Sequence, residues 1–122
     1  MRIIKTKEFK KWGISENISD QNLIKAISEI ESGLIDVNLG GGLIKKRVAI
    51  GSSGKSGGAR TIIAYKKGKR AFFLYGFKKN EMSNIDASEL KALRRFGEIL
   101  MIQNDPDIDL AIKLKQLYEV KT

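Results

Sequence analysis

The sequence predicts an α+β fold, and three observations carry that expectation. Apolar residues recur at helical spacing near both ends of the chain. Between Gly33 and Phe77 the period drops from 3.6 to 2. Glycines punctuate the same middle stretch as hairpin turns would. The expected architecture is two N-terminal helices and two C-terminal helices packed on a twisted antiparallel sheet of about four to five strands. A chain of 122 residues fits one domain over 1–122, burying roughly two thirds of the surface its unfolded form exposes.

Taken in order, Arg2 to Lys5 reads as an opening strand, and Thr6 caps a short helix with Phe9 and Trp12 on one face, stopped by Gly13. A second helix starts at Asp20, carries Leu23, Ala26, Ile27 and Ile30 on its inner face, and ends at Gly33, where a left-handed cap costs little. Strands follow over Leu34 to Leu39, Leu43 to Ile50, Arg60 to Lys66 and Arg70 to Phe77. Gly40-Gly41-Gly42 and Lys67-Gly68 supply turns, and GSSGKSGG from Gly51 to Gly58 a basic loop. Asp86 with Glu89 forms a capping-box-like start to a third helix lined by Leu90, Leu93, Leu100 and Met101. Asp105 as cap and Pro106 at the first helical position begin a fourth, which runs to about Glu119.

Composition narrows the chemistry. The chain has no cysteine and no histidine, which excludes Cys/His metal sites, Ser-His-Asp and Cys-His catalysis and any near-neutral imidazole. An active site here has to be made of Lys, Arg, Tyr, Asp or Glu. No apolar run approaches a membrane span, and the N-terminal apolar stretch is short for a signal peptide, so a cytoplasmic location without membrane partners is expected.

The net charge is +9, and its distribution says more than its size. Val37 to Asn80 holds eleven Lys and Arg and no Asp or Glu, whereas the rest of the chain has twelve basic residues against fourteen acidic ones. A solubilising surface mixes signs; a segment of one sign is the electrostatic footprint of a polyanion-binding face. Period-2 alternation puts Lys45, Arg47 and Ala49 on one side of their strand and Ile44, Lys46, Val48 and Ile50 on the other. Arg60 opens the next strand, and Lys78 and Lys79 close the last, so three neighbouring strands are expected to gather cations. The glycine loop with Lys55 has the composition of a phosphate loop but not the pattern G-x-x-x-x-G-K-[ST], since Ala49 stands where its first glycine belongs. It is read instead as an arm along a nucleic-acid backbone. Tyr65 and Tyr75 are the aromatic candidates for stacking a base.

These pieces, GGLIKKRVAIGSSGKSGGARTIIAY and FFLYGFKKNEMSNIDASELKAL, resemble the RelE/HigB group of bacterial toxins from type II toxin-antitoxin modules, over roughly Gly40 to Leu93. The most specific are Gly41 to Ala49, the glycine loop ending at Arg60, and Lys79 to Ser83. The resemblance implies a RelE-like fold, ribosome-dependent cutting of mRNA in the A site, and neutralisation by a cognate antitoxin. By motif, it implies a site of Lys45, Arg47, Arg60 and Lys79 with Glu81 and Tyr65 as auxiliaries, and RNA contacts from Lys46, Lys55 and Lys78. Ile44 directly follows the G-G-L where relatives often carry a basic residue, so which of Lys45 and Lys46 faces RNA stays open. Asn80 follows Lys79 where many relatives carry arginine.

The expected reaction is attack of an RNA 2′-hydroxyl on its own phosphate, without metal or small-molecule cofactor. Crowded cations disfavour one another's charged forms, which makes Lys45 the candidate base. Arg47 and Arg60 would clamp the phosphoryl oxygens, and Lys79 or Glu81 would donate or position a proton. Two other readings fit the same residues: a ParE-like poison of DNA gyrase, and a non-catalytic nucleic-acid-binding module.

Overall fold

The computed structural model describes residues 1–50, 58–78 and 85–121. Its elements are β1 (Arg2–Thr6), α1 (Lys7–Ser15), α2 (Asp20–Glu31), β2 (Val37–Gly40), β3 (Leu43–Val48), β4 (Ala59–Lys66), β5 (Arg70–Lys78), α3 (Ala87–Met101), α4 (Asp105–Lys113) and β6 (Leu117–Glu119). The α+β expectation holds, with two corrections to the sheet. It has six strands, ordered β2-β3-β4-β5-β1-β6, and it is mixed. The N-terminal strand enters between β5 and β6, parallel to β5 from Arg2↔Arg70 to Lys5↔Phe73 and antiparallel to β6. Strand order is not a local property, so the meander β2 to β5 was legible as hairpins and this crossover was not.

Helices cover both faces of the sheet. Under α1 and α2 lies a cluster containing Ile3, Phe9, Leu23, Ile27, Ile44, Val48, Ile63 and Phe73; under α3 and α4 lies another, with Ile4, Leu43, Ile62, Phe72, Leu74, Leu100 and Ile108. Each fully buried Ile, Leu or Phe side chain contributes about 1.5–3 kcal/mol of transfer free energy. Period-2 alternation sorts the strands between the layers: Leu43 faces α3, Ile44 faces α2, and the pattern repeats along β4.

Helix ends follow their capping residues. Thr6, Ser19 and Asp86 accept hydrogen bonds from the N–H groups of Phe9, Asn22 and Glu89 and so start α1, α2 and α3. Gly13 does not stop α1, which runs on to Ser15 before Asn17 takes a left-handed φ of 60°. The cap of α4 is Asn104, whose side chain accepts from the Asp107 N–H at 2.8 Å, not Asp105. Asp105 instead pairs with Arg2 at 3.1 Å and Arg70 at 2.9 Å. That last helix ends at Lys113 rather than near Glu119. Lys115 turns at φ 60°, and β6 returns the chain to β1 through Thr6↔Leu117 and Ile4↔Glu119.

The turn between β2 and β3 fixes where the cationic strand β3 begins. Gly40, Gly41 and Gly42 all have φ between 61° and 83°, where a side chain is strained. A Cβ on Gly41 would also fall 2.5 Å from the side chain of Arg94, which reaches down from α3 and donates to the carbonyl of Leu39 at 2.7 Å. The first strand of the meander is shorter than the sequence predicts: Val37 to Gly40 rather than Leu34 to Leu39.

Candidate functional site

Register puts the three principal cations on one surface. Arg47 lies directly opposite Arg60 across the β3–β4 ladder, and Lys45 lies opposite Ile62. All three share the α3 side of the sheet with Leu43 and Ile62, and β5 continues the row with Phe77 opposite Arg60 and Tyr75 opposite Ile62. Directly opposed residues on one face of an antiparallel pair have Cβ atoms about 4.5–5.5 Å apart, and like charges so placed repel. The two arginines repel one another there, and the Asp36 carboxylate beside Arg47 offsets part of that repulsion.

Arg60 carries the clearest mark of an unmet partner. Its Nη1 is buried and has no hydrogen-bond partner among the described residues. A guanidinium has five donors, and leaving a buried one unpaired costs about 1–3 kcal/mol. Arg47 is tied differently. Its backbone N–H donates to Asp36 Oδ2 at 2.6 Å, and its Nε lies 3.5 Å from the same oxygen. Asp36 sits one residue before the acid-free segment, so a charge count that opened at Val37 missed the one carboxylate that orients Arg47.

Two expected contributors lie elsewhere. Lys46 is only 2% exposed and points to the α2 side, where its Nζ is 2.9 Å from Glu29 Oε1. It is a structural cation, and it leaves Lys45 as the lysine of the cationic face. Tyr65 packs against the α1–α2 cluster, on the face opposite Arg60, with its hydroxyl buried and unpaired among the described residues. Burial and the nearby Glu31 carboxylate raise its pKa above the ordinary phenol value. The aromatic that shares the α3 side with Arg60 is Tyr75. Parity along β4 alone puts Tyr65, five residues from Arg60, on the opposite face, whereas Tyr75 reaches the Arg60 side only because β5 carries an extra residue, Leu74, between the partners of Ile62 and Ile63. Lys78 is half-exposed and its Nζ is 3.1 Å from Glu16 Oε1, at the end of α1. Lys55, Lys79 and Glu81 lie outside the described residues.

A second cluster of charge occupies the other end of the sheet. Arg2 donates to Glu119, Asp109 and Asp105, and Arg70 to Asp105 and to the Gln103 carbonyl. The Glu119 hydrogen bond foremost holds the Arg2 pKa above its usual value, and Arg2 and Arg70 together hold the Asp105 carboxyl below its own. These ions are mutually satisfied and act as a clamp on β6 and α4.

Fold and face together define a small basic α+β domain that presents a histidine-free cluster of two arginines and a lysine on one side of its sheet. Over residues 1–120 the chain matches the family model described as the RelE toxin of the RelE / RelB toxin-antitoxin system. It belongs to that family, and is therefore the toxin of a toxin-antitoxin system with a cognate antitoxin as its partner. No helix among the described residues is long and apolar enough to cross a membrane.

Proposed function

We propose that this toxin is a metal-independent endoribonuclease that cuts mRNA on the ribosome and so stops translation in the cytoplasm. The observation that carries the reading is the buried Nη1 of Arg60, without a hydrogen-bond partner among the described residues, beside Arg47 and Lys45 on one sheet face. RNA supplies its own nucleophile. Lys45 takes the proton of the 2′-hydroxyl, and the 2′-oxygen attacks the adjacent phosphorus. Arg60 and Arg47 hold the non-bridging oxygens as charge builds on them, and the 5′-oxygen leaves with a proton, giving a 2′,3′-cyclic phosphate and a new 5′-hydroxyl end. Lys79, with Glu81 as its positioner, is the proposed proton donor, and Lys55 and Lys78 are proposed to contact the RNA backbone.

The test is induced expression of the wild type beside Arg60→Ala and Lys45→Ala, with primer extension on a translated message. The expected result is growth arrest and new 5′ ends within codons for the wild type, and neither for the variants. Arrest without RNA cleavage would sink the nuclease reading. Accumulated gyrase–DNA breaks would then favour the ParE-like alternative, and salt-sensitive binding to RNA and DNA alike a plain binding module.

A further inference from the structure

Next to the cationic face lies a pocket that the reaction above does not use. β1 pairs with β5 only as far as Lys5↔Phe73, after which the chain turns at Thr6 into α1, while β5 continues to Lys78. Among the described residues no strand pairs with the outer edge of Tyr75 to Lys78. Between that edge and α1 is a cavity of about 360 Å³ lined by Glu8, Phe9, Trp12, Tyr75, Gly76 and Phe77.

Its chemistry is complementary to that of the neighbouring face. Four of these residues are aromatic. Phe9 and Trp12 have ring centroids 5.5 Å apart, and Tyr75 and Phe77 6.1 Å apart. Gly76 lets the Trp12 ring lie directly on β5, since a Cβ there would be 2.2 Å from the indole. Among the described residues no cation lines the cavity, and the one charged residue that does is Glu8. This aromatic lining with its carboxylate suits a flat, uncharged ring with hydrogen-bond donors on its edge better than an anionic phosphate. Phe77 stands opposite Arg60, one strand spacing of about 4.8 Å away.

We propose that this pocket, which reaches round the open edge of β5 from Trp12 on the α1 side of the sheet to Phe77 on the Arg60 side, receives the base of a nucleotide whose phosphate is held by Arg60, with Trp12 as a stacking wall and Glu8 as acceptor for an exocyclic amino group. The site would thus take guanine, cytosine or adenine in preference to uracil, because the carboxylate finds donors on the first three and mainly carbonyl oxygens on the last. The proposal rests on the nucleic-acid reading of the cationic face and adds a determinant of sequence preference to it.

The chain contains one tryptophan, so its emission reports on this pocket alone. The folded chain is titrated at low salt with end-labelled 2′-O-methyl oligoribonucleotides, in which the attacking hydroxyl is blocked. Oligomers rich in amino-bearing bases are compared with oligouridylate and with an abasic oligomer of equal phosphate count. Label anisotropy reports binding and Trp12 emission reports occupancy. The expected result is saturable quenching by amino-bearing oligomers, and roughly 5- to 150-fold weaker binding of the abasic one, the range that stacking one base supplies. Glu8→Gln should bring the uracil affinity level with the others, and Tyr75→Leu should weaken all base-bearing oligomers toward the abasic value.

Binding that depends on Arg60 but leaves Trp12 emission unchanged overturns the pocket and leaves the cationic face standing. Cleavage in cells with no Trp12 response does the same, whereas no binding together with no cleavage overturns both. Quenching by the cognate antitoxin but by no oligonucleotide would assign the open edge of β5 to a protein strand instead, and would also overturn the proposal.

Discussion

Replacing Glu29 with leucine should destabilise the protein strongly, because it strips the counter-charge from a buried lysine. The Lys46 ammonium is 3% exposed and Glu29 17%, with 2.9 Å between the charged atoms. Removing the carboxylate leaves a buried cation with no counter-charge, which costs about 3–5 kcal/mol. For 122 residues the unfolding entropy near the melting temperature is about 0.26 kcal/mol/K, so the midpoint should fall by about 12–19 °C. Lys46→Met should cost less, about 1–3 kcal/mol, because the more exposed Glu29 keeps part of its hydration. The double variant Glu29→Leu/Lys46→Met should recover to within about 1 kcal/mol of the wild type, because an apolar pair of similar volume replaces a desolvated ion pair. Thermal unfolding followed by circular dichroism measures all three. A Lys46→Met protein that melts like the wild type but no longer arrests growth would refute the assignment, since Lys46 would then act on RNA and not on α2.

Other perturbations test the layers of the fold separately. Gly76→Ala forces a methyl into the Trp12 ring and should cost at least about 1–3 kcal/mol in urea unfolding, an overpacking penalty that Trp12→Leu in the same background should partly relieve. Tyr65→Phe removes a buried, unpaired hydroxyl and should raise stability by up to about 1 kcal/mol while leaving toxicity intact; a loss of that size would mean the hydroxyl has a partner. Asp105 has a folded-state pKa held below its ordinary 3.8 by Arg2 and Arg70. Its contribution is present above the unfolded value and is lost as pH falls through the folded one. Urea midpoints should therefore drop below about pH 4, and Asp105→Asn should flatten that acid limb.

What the sequence made legible was what a few consecutive residues decide. Thr6 and Asp86 announce helix starts because a side-chain oxygen reaches an N–H three residues on. Lys45 and Arg47 share a face because strands alternate. The glycines after Leu39 mark a turn because only they sit comfortably at positive φ. What stayed hidden depends on partners distant in the chain. Nothing near Lys46 shows that Glu29 of another element neutralises it. Leu117 and Tyr118 read as the end of a helix until β1 offers them a ladder, and the left-handed Lys115 that makes the break carries no glycine to announce it. Alternation along β4 already separates Tyr65 from Arg60, but the extra residue Leu74 that brings Tyr75 to the Arg60 side of β5 has no mark in the sequence.

The place of β1 between β5 and β6 also sets the order in which the toxin can come into being. β1 finds its parallel neighbour only once the chain has reached Arg70, and Arg2 meets Glu119 across 117 positions of chain. Until β5 exists, β4 lacks the strand that fixes the far side of Arg60, and β1 has nothing to pair with. A fragment ending before β5 therefore carries Arg47 and Arg60 on a hairpin without its neighbouring strand. Contacts of such long range close slowly. The surface that carries Arg60 therefore gains its full support only after distant parts of the chain have met.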